Sequence, residues 1–215
     1  MITVSENVSE IVKNSPYLEE GLVLGIINLS ALARNLKPRI EKRTLKKTSV
    51  SAIVMALQRL GLKLRDKSLK GKIILPQDMT VRSNLIELTY ANSPTLREKL
   101  PKALHLAEKS KDVFFNILQG LFETSIIASQ SLMENLKKSF QNEKLVLKTE
   151  NLASVTLRYS EDAIFTPGVY YLILKNLAWE GINVVEVISI HNELSLIVEK
   201  SKIDRAFQII KQLST

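Results

Sequence analysis

Tyr170, Ile173, Leu174 and Leu177 fall at the i, i+3, i+4, i+7 spacing that gives a helix one apolar side, which predicts a helix from about Val169 to Glu180. Gly181 follows as its stop, because a glycine takes the left-handed conformation of a helix end at little cost. The apolar run Ile182 to Ile190 reads as a buried strand, and His191-Asn192 as a two-residue polar turn. Glu193 to Glu199 then alternates Leu194, Leu196 and Val198 against Ser195 and Ile197, so the two strands form a hairpin. A last helix begins near Ile203, with Asp204 in its first turn and Ala206, Phe207, Ile210 and Leu213 as its inward stripe. With Leu152 to Tyr159 as an opening strand, the order is βαββαβ: a split βαβ sheet with its helices on one face.

An upstream stretch repeats this order about seventy residues earlier, Phe114–Gly120 lying beside Val184–Ile190 and Ser125–Gln130 beside Leu194–Glu199. In this first copy Asn84–Tyr90 is the opening strand, Pro94–Lys109 a helix, Val113–Gln130 the hairpin and Leu132–Phe140 the second helix, with Leu145–Lys148 closing the sheet. The copy is degenerate. It has Ser93-Pro94-Thr95 where the second has Pro167-Gly168-Val169, and nothing matching Glu180-Gly181-Ile182-Asn183, so it is expected to be the poorer ligand binder.

The first third follows helical periodicity. A short helix near Ser5–Lys13 carries Val8, Ile11 and Val12 on one side and ends before Pro16; Ser30 caps the run Ala31–Leu36; Thr48 or Ser49 caps a longer helix, Val50–Leu60, with Gly61 as its stop. Leu62–Arg65 and Lys72–Leu75, joined by the polar Asp66–Gly71, are expected to pair as a two-stranded wing.

Charge divides the chain at the same place. Residues 1–72 hold 14 Lys plus Arg against 6 Asp plus Glu, whereas residues 73–215 hold 16 of each, so the net +8 lies in the first third. Between Arg34 and Lys72 there are 13 basic residues and only Glu41 and Asp66 as acids, a density that attracts phosphate backbones or anionic lipid.

The motifs Pro167-Gly168-Val169 and Gly181-Ile182-Asn183-Val184 resemble the turn and the strand start of ACT domains at the C-terminus of aspartate kinases, well over residues 152–213 and weakly over the first copy. That resemblance implies an amino-acid effector held by Thr166, Pro167, Gly168, Val169, Asn183 and Val184. On physical grounds Gly168 admits close backbone approach, the helix start offers free N–H groups to a carboxylate, and an asparagine both donates and accepts. Ser160–Phe165, inserted before the turn, departs from the family pattern and is expected to reshape or lid the pocket. The run LSALARNL…VSAIVMALQRLG makes residues 8–76 similar to a winged helix-turn-helix domain. It nominates Arg34, Lys37, Arg39, Lys46, Lys47, Ser49, Ser51, Arg59, Arg65 and Lys67 as DNA contacts. Most of these bind phosphates rather than bases, since the second helix offers base edges only Ser49, Ser51, Gln58 and Arg59.

The expected fold is therefore α+β, with a basic winged-helix-like domain (1–76), a degenerate ACT-like module (80–150) and an ACT-like module (151–215). Gln77-Asp78-Met79 and Gln141–Lys144 are the expected connections. Chemistry is scarce. With no Cys, two histidines (His105 and His191) and seven glycines there is no zinc set, no thiol nucleophile and no Gly-rich phosphate loop. No enzyme activity, cofactor or metal is expected. Without a secretory leader, a membrane-length apolar run or disulfides, the expected setting is cytoplasmic. The functional expectation is a homo-oligomeric, amino-acid-sensing transcriptional regulator, pairing through its ACT sheets and touching nucleic acid through its first domain. The alternative is a non-catalytic regulatory subunit that docks on a biosynthetic enzyme.

Overall fold

The computed structural model describes residues 3–67, 76–110 and 112–213, which divide into two compact units, residues 1–72 and 73–215.

The first unit is helical: α1 (Val4–Lys13), α2 (Pro16–Leu24), α3 (Leu29–Thr44) and α4 (Val50–Lys67). Thr3 and Glu6 cap the start of α1 reciprocally. Pro16 does more than end α1, because it starts α2 from the position where a missing N–H is harmless. Asn28, not Ser30, caps α3 through its side chain, and Ser49 Oγ accepts from Ala52 N–H at 3.2 Å at the start of α4. The core is Val8, Ile11, Val12, Leu22, Ala33, Leu36, Ile40, Ile53, Ala56 and Leu57, with apolar positions contributed by all four helices. The expected wing is corrected here. Leu62–Arg65 are the last turns of α4, so they form no strand, and Lys72–Leu75 lie outside the described residues. Gly61 does not stop the helix: it is buried where α2 crosses, its missing Cβ site 3.6 Å from the Leu22 carbonyl oxygen.

The second unit is a six-stranded antiparallel sheet with four helices: β1 (Asp78–Ala91), α5 (Pro94–Glu108), β2 (Phe115–Gln119), β3 (Glu123–Ser129), α6 (Met133–Ser139), β4 (Leu145–Arg158), α7 (Val169–Trp179), β5 (Val184–Ile190), β6 (Glu193–Glu199) and α8 (Ile203–Leu213). The strand order is β2-β3-β1-β4-β6-β5. Two long strands lie at the centre and serve both halves. Leu85–Ala91 of β1 pairs with β3, and Leu152–Arg158 of β4 pairs with β6, while β1 and β4 pair along almost their whole length. Asp78 and Met79, expected in a connection, are thus strand, opposite Arg158 and Leu157. The continuous strand Leu145–Arg158 closes the first half of the sheet and opens the second.

Each central strand changes face part-way. Asn84 and Asn151 both take positive φ, 57° in each case, which asparagine tolerates better than most residues, and the register shifts beside them. Met79 consequently packs with the α7/α8 core, whereas Ile86, Leu88 and Tyr90 belong to the α5/α6 core. A third cluster, Leu85, Ile127, Leu152, Ile188 and Ile197 with Phe114, Leu118 and Val185 against it, draws on all six strands and on the residue before β2, and none of its residues lies in a helix. A sheet buries such a face by curling around it. The run Ile182–Ile190 is corrected from a buried strand to an edge: in β5, Val187 is 43% and Ile190 56% exposed.

Candidate functional site

The residues nominated as an effector site divide into two groups at opposite ends of α7. Thr166–Val169 form its N-terminus. Gly168 is its N-cap in the left-handed region at φ 86°, no side chain caps the helix, and a Cβ there would meet nothing within 4 Å. Thr166 Oγ1 donates to the Asp162 carbonyl at 2.9 Å, which holds the turn, and Val169 packs into the core. The inserted segment is a 3-10 turn, Glu161–Phe165, whose Ala163 is buried in that core and anchors the turn, while Phe165 is exposed. Asn183 and Val184 lie past the far end of the helix, Asn183 exposed and Val184 paired with Val198. An 11-residue helix spans about 16 Å at its usual rise, so no single small ligand touches both groups within one chain.

Tyr170 joins the helix start to the other end of β5, its hydroxyl 2.9 Å from Ser189 Oγ. β5 is the outer strand of the sheet. An antiparallel pairing of two copies along β5, centred near Val187, would place Asn183 and Val184 of one beside Ser189 and Ile190 of the other, at that copy's Gly168 turn.

The corresponding helix start in the first half is already occupied. Ser93 Oγ caps α5 by accepting from Leu96 N–H at 2.9 Å, and the Glu143 carboxylate accepts from Ser93 Oγ at 2.8 Å, Thr95 Oγ1 at 3.2 Å and Lys99 Nζ at 2.6 Å. The bonds from Lys99 and Ser93 hold this carboxyl below the usual carboxylate range. Sequence reasoning placed Glu143 in a connection. Nothing in its local pattern marks it, because its partners lie about fifty residues away.

Glu87 was also missed. It lies on the helix-free face, 2% exposed, with one carboxylate oxygen 3.4 Å from Thr89 Oγ1 and the other without a partner. Burial pushes its carboxyl above the usual range, and the Glu186 carboxylate pushes it further. The folded state therefore holds this proton more tightly than the unfolded chain. The resulting penalty is absent below the ordinary carboxylate range, grows as pH rises through it, and persists at neutral pH. Glu87→Gln is expected to raise the thermal midpoint at pH about 7 and to leave it unchanged near pH about 3.5, below the ordinary glutamate value. Calorimetry at the two pH values checks this, and an equal shift at both would refute it.

Among the nominated DNA contacts, Arg34, Arg39, Lys46, Lys47, Ser49, Ser51, Arg59 and Arg65 are exposed and Lys37 is half-buried, 3.9 Å from Glu41. Two have structural work: Ser49 caps α4, and Arg65 Nε donates to the Val23 carbonyl at 2.8 Å. Lys67 ends α4. His105 is exposed beside Glu108 at 2.7 Å, and His191 forms the β5–β6 turn at φ 46°. No three His, Asp or Glu side chains among the described residues form a metal set. No described helix is long and apolar enough to cross a membrane.

Neither a family model nor a curated protein matches the chain. Solved structures do. The ligand-free regulatory subunit of aspartate kinase from Thermus thermophilus is covered over 100% of its length by 67% of this chain, with a TM-score of 0.54 at 13% identity. The sheet unit has the fold of an aspartate kinase regulatory domain. The regulatory subunit from Thermus flavus gives 0.52 at 12% identity, covering 66% of this chain and 99% of that one. The aspartate kinase of Clostridium acetobutylicum gives 0.54 at 15%, again over 66% of this chain, which spans only 35% of that enzyme. The shares of this chain match the sheet unit in size, and this likeness establishes the ACT-type α+β fold of that unit. The winged-helix expectation for the first unit finds no counterpart in these matches.

Proposed function

We propose that this chain is a regulatory protein that senses an amino acid at the N-terminus of α7. The observation that carries the reading is the contrast between the two halves of one sheet. At α5 an internal carboxylate, that of Glu143, sits on the hydroxyls of the first turn, whereas at α7 the corresponding turn has no capping side chain and an open glycine. A helix start without a capping side chain favours an anion, and a free carboxylate satisfies it as Glu143 does in the first half. Asn183 completes the site from a second copy paired along β5. Effector binding then shifts whatever equilibrium the paired and unpaired forms have, to the extent that it prefers one of them. A thermal-shift screen against the twenty amino acids tests the reading: a ligand at 100 times its dissociation constant stabilises by about 2.7 kcal/mol. The absence of a shift with all twenty refutes it.

The first unit supplies the output in one of two ways. The exposed cations Arg34, Arg39, Lys46, Lys47 and Arg59 favour a phosphate backbone, which makes the chain a transcriptional regulator. The fold shared with separate regulatory subunits favours the alternative, a non-catalytic subunit docked on a biosynthetic enzyme. Retention of duplex DNA against salt separates them. The first reading expects an affinity that falls roughly a thousandfold or more between about 50 and about 200 mM salt. The second expects no measurable retention at about 200 mM.

A further inference from the structure

The helix-free face carries a hollow that neither half of the α7 site uses. Three cross-strand ladders contribute to its floor, through Arg82, Thr80, Thr156, Ser195, Ile188, Ile190 and Glu193. Arg82, Ser154, Ile197 and Glu186 lie in the first, Thr80, Thr156, Ser195 and Ile188 in the second, and Asp78, Arg158, Glu193 and Ile190 in the third, reading from β1 through β4 and β6 to β5. The chain entering β2 forms a further wall with Phe114, enclosing a volume of about 310 Å³. That is within the range of small-molecule sites, roughly 300–1,000 Å³.

The lining is chemically asymmetric. At one end Arg82 Nη1 donates to the Asp112 carbonyl at 2.8 Å, which orients the guanidinium and leaves donors over. No described carboxylate lies within ion-pair distance of it. At the other end Glu193 lies across from Arg158 in the third ladder and forms no ion pair among the described residues. Between them the Thr156 and Ser195 hydroxyls bond to each other at 2.7 Å and retain acceptor capacity toward the hollow. Phe114 and Ile188 supply apolar contact. From the ladders, the Arg82 and Glu193 Cα atoms are two strand spacings and four residues apart, on the order of 16 Å in a flat sheet. Curling shortens this, and the two long side chains span most of the remainder.

We propose that this hollow is a second ligand site and that it takes a free α-amino acid, with the carboxylate on Arg82, the ammonium group toward Glu193 and the side chain against Phe114 and Ile188. An anion donor and a cation acceptor facing each other across hydroxyls match a zwitterion, and neither a simple anion nor an apolar ligand would use both ends. The inference rests on the sensor reading of the chain but not on the α7 site. The other half of the sheet keeps the hydroxyl pair, Thr89 with Ser125 at 2.6 Å, yet puts the acid Glu87 in the ladder position of Ser154 and Thr149 in that of Arg82. It therefore lacks the carboxylate clamp, and no binding is assigned there.

The test is isothermal titration of the full chain with each of the twenty amino acids, repeated on Arg82→Gln, Glu193→Gln and Gly168→Val. The expected result is a binding event that both Arg82→Gln and Glu193→Gln weaken about tenfold or more and Gly168→Val leaves intact. Circular dichroism and the ligand-free thermal midpoint verify that each variant is folded, and two variants at separate ends of the hollow guard against one failing to fold. Binding whose affinity and stoichiometry survive both Arg82→Gln and Glu193→Gln overturns this inference alone. If that binding is lost in Gly168→Val, the sensor reading stands. No binding of any of the twenty by the unaltered chain overturns the inference and the sensor reading together.

Discussion

Ile197→Ala is expected to lower the stability of the sheet unit by about 2–5 kcal/mol, the loss typical of a large-to-small change in a packed core. At about 2–4 °C per kcal/mol for a chain of this size, the thermal midpoint falls by roughly 4–20 °C. In the alternation of β6, Leu194, Leu196 and Val198 face the helices, so Ile197 should point to solvent, where such a change stays within about 0.5 kcal/mol. Instead Ile197 is fully buried, packed with Leu85, Ile127, Leu152 and Ile188 on the face of the sheet opposite its α5–α8 helices. The magnitude therefore tests the curl of the sheet. A shift of less than a degree, measured by calorimetry, would mean that the face is open to water and that the hollow beside it lacks the enclosure assigned to it.

The same residue shows where sequence reading succeeds and where it stops. Periodicity is a local property, and it located α7, the β5–β6 hairpin, α8 and most of the first half's elements because each is decided by neighbours within a few residues. Curling of a sheet is not local. Ile197 looks like an exception within an amphipathic strand until Ile127 and Leu152 are brought to it from other strands. The left-handed Asn84 and Asn151 are hidden for a related reason: an asparagine within a strand is an ordinary residue until the pairing of β1 with β4 shows that the faces have exchanged. Gly61 illustrates the opposite error. Glycine is a weak helix stop, and packing of α2 against α4 carries the helix through it to Lys67, which removes the predicted wing. Of the candidate effector site, the Gly168 turn was legible as a motif. Its separation from Asn183 follows from the helix between them, and the role of Glu143 at the other helix start needed three dimensions.

Gly168→Val and Asn183→Ala are each expected to abolish the stabilisation by an effector at the α7 turn, about 2.7 kcal/mol at 100 times the dissociation constant. Valine at φ 86° meets a strain of roughly 1–2 kcal/mol that a left-handed glycine avoids, and relieving it moves the helix start away from the ligand. Asn183→Ala removes a donor and acceptor without touching that turn. The decisive measurement mixes the two inactive chains. If the site is shared between copies paired along β5, a mixed dimer has one site carrying both substitutions and one carrying neither. Random exchange then restores about a quarter of the sites, each at the original affinity. Sites built within a single chain restore none, since each chain still lacks one of its own groups. Recovery of partial stoichiometry at unchanged affinity would establish the paired β5 edge as the sensing interface. Its absence, in a mixture shown to exchange subunits, would separate Asn183 from the effector and leave the α7 turn to bind alone.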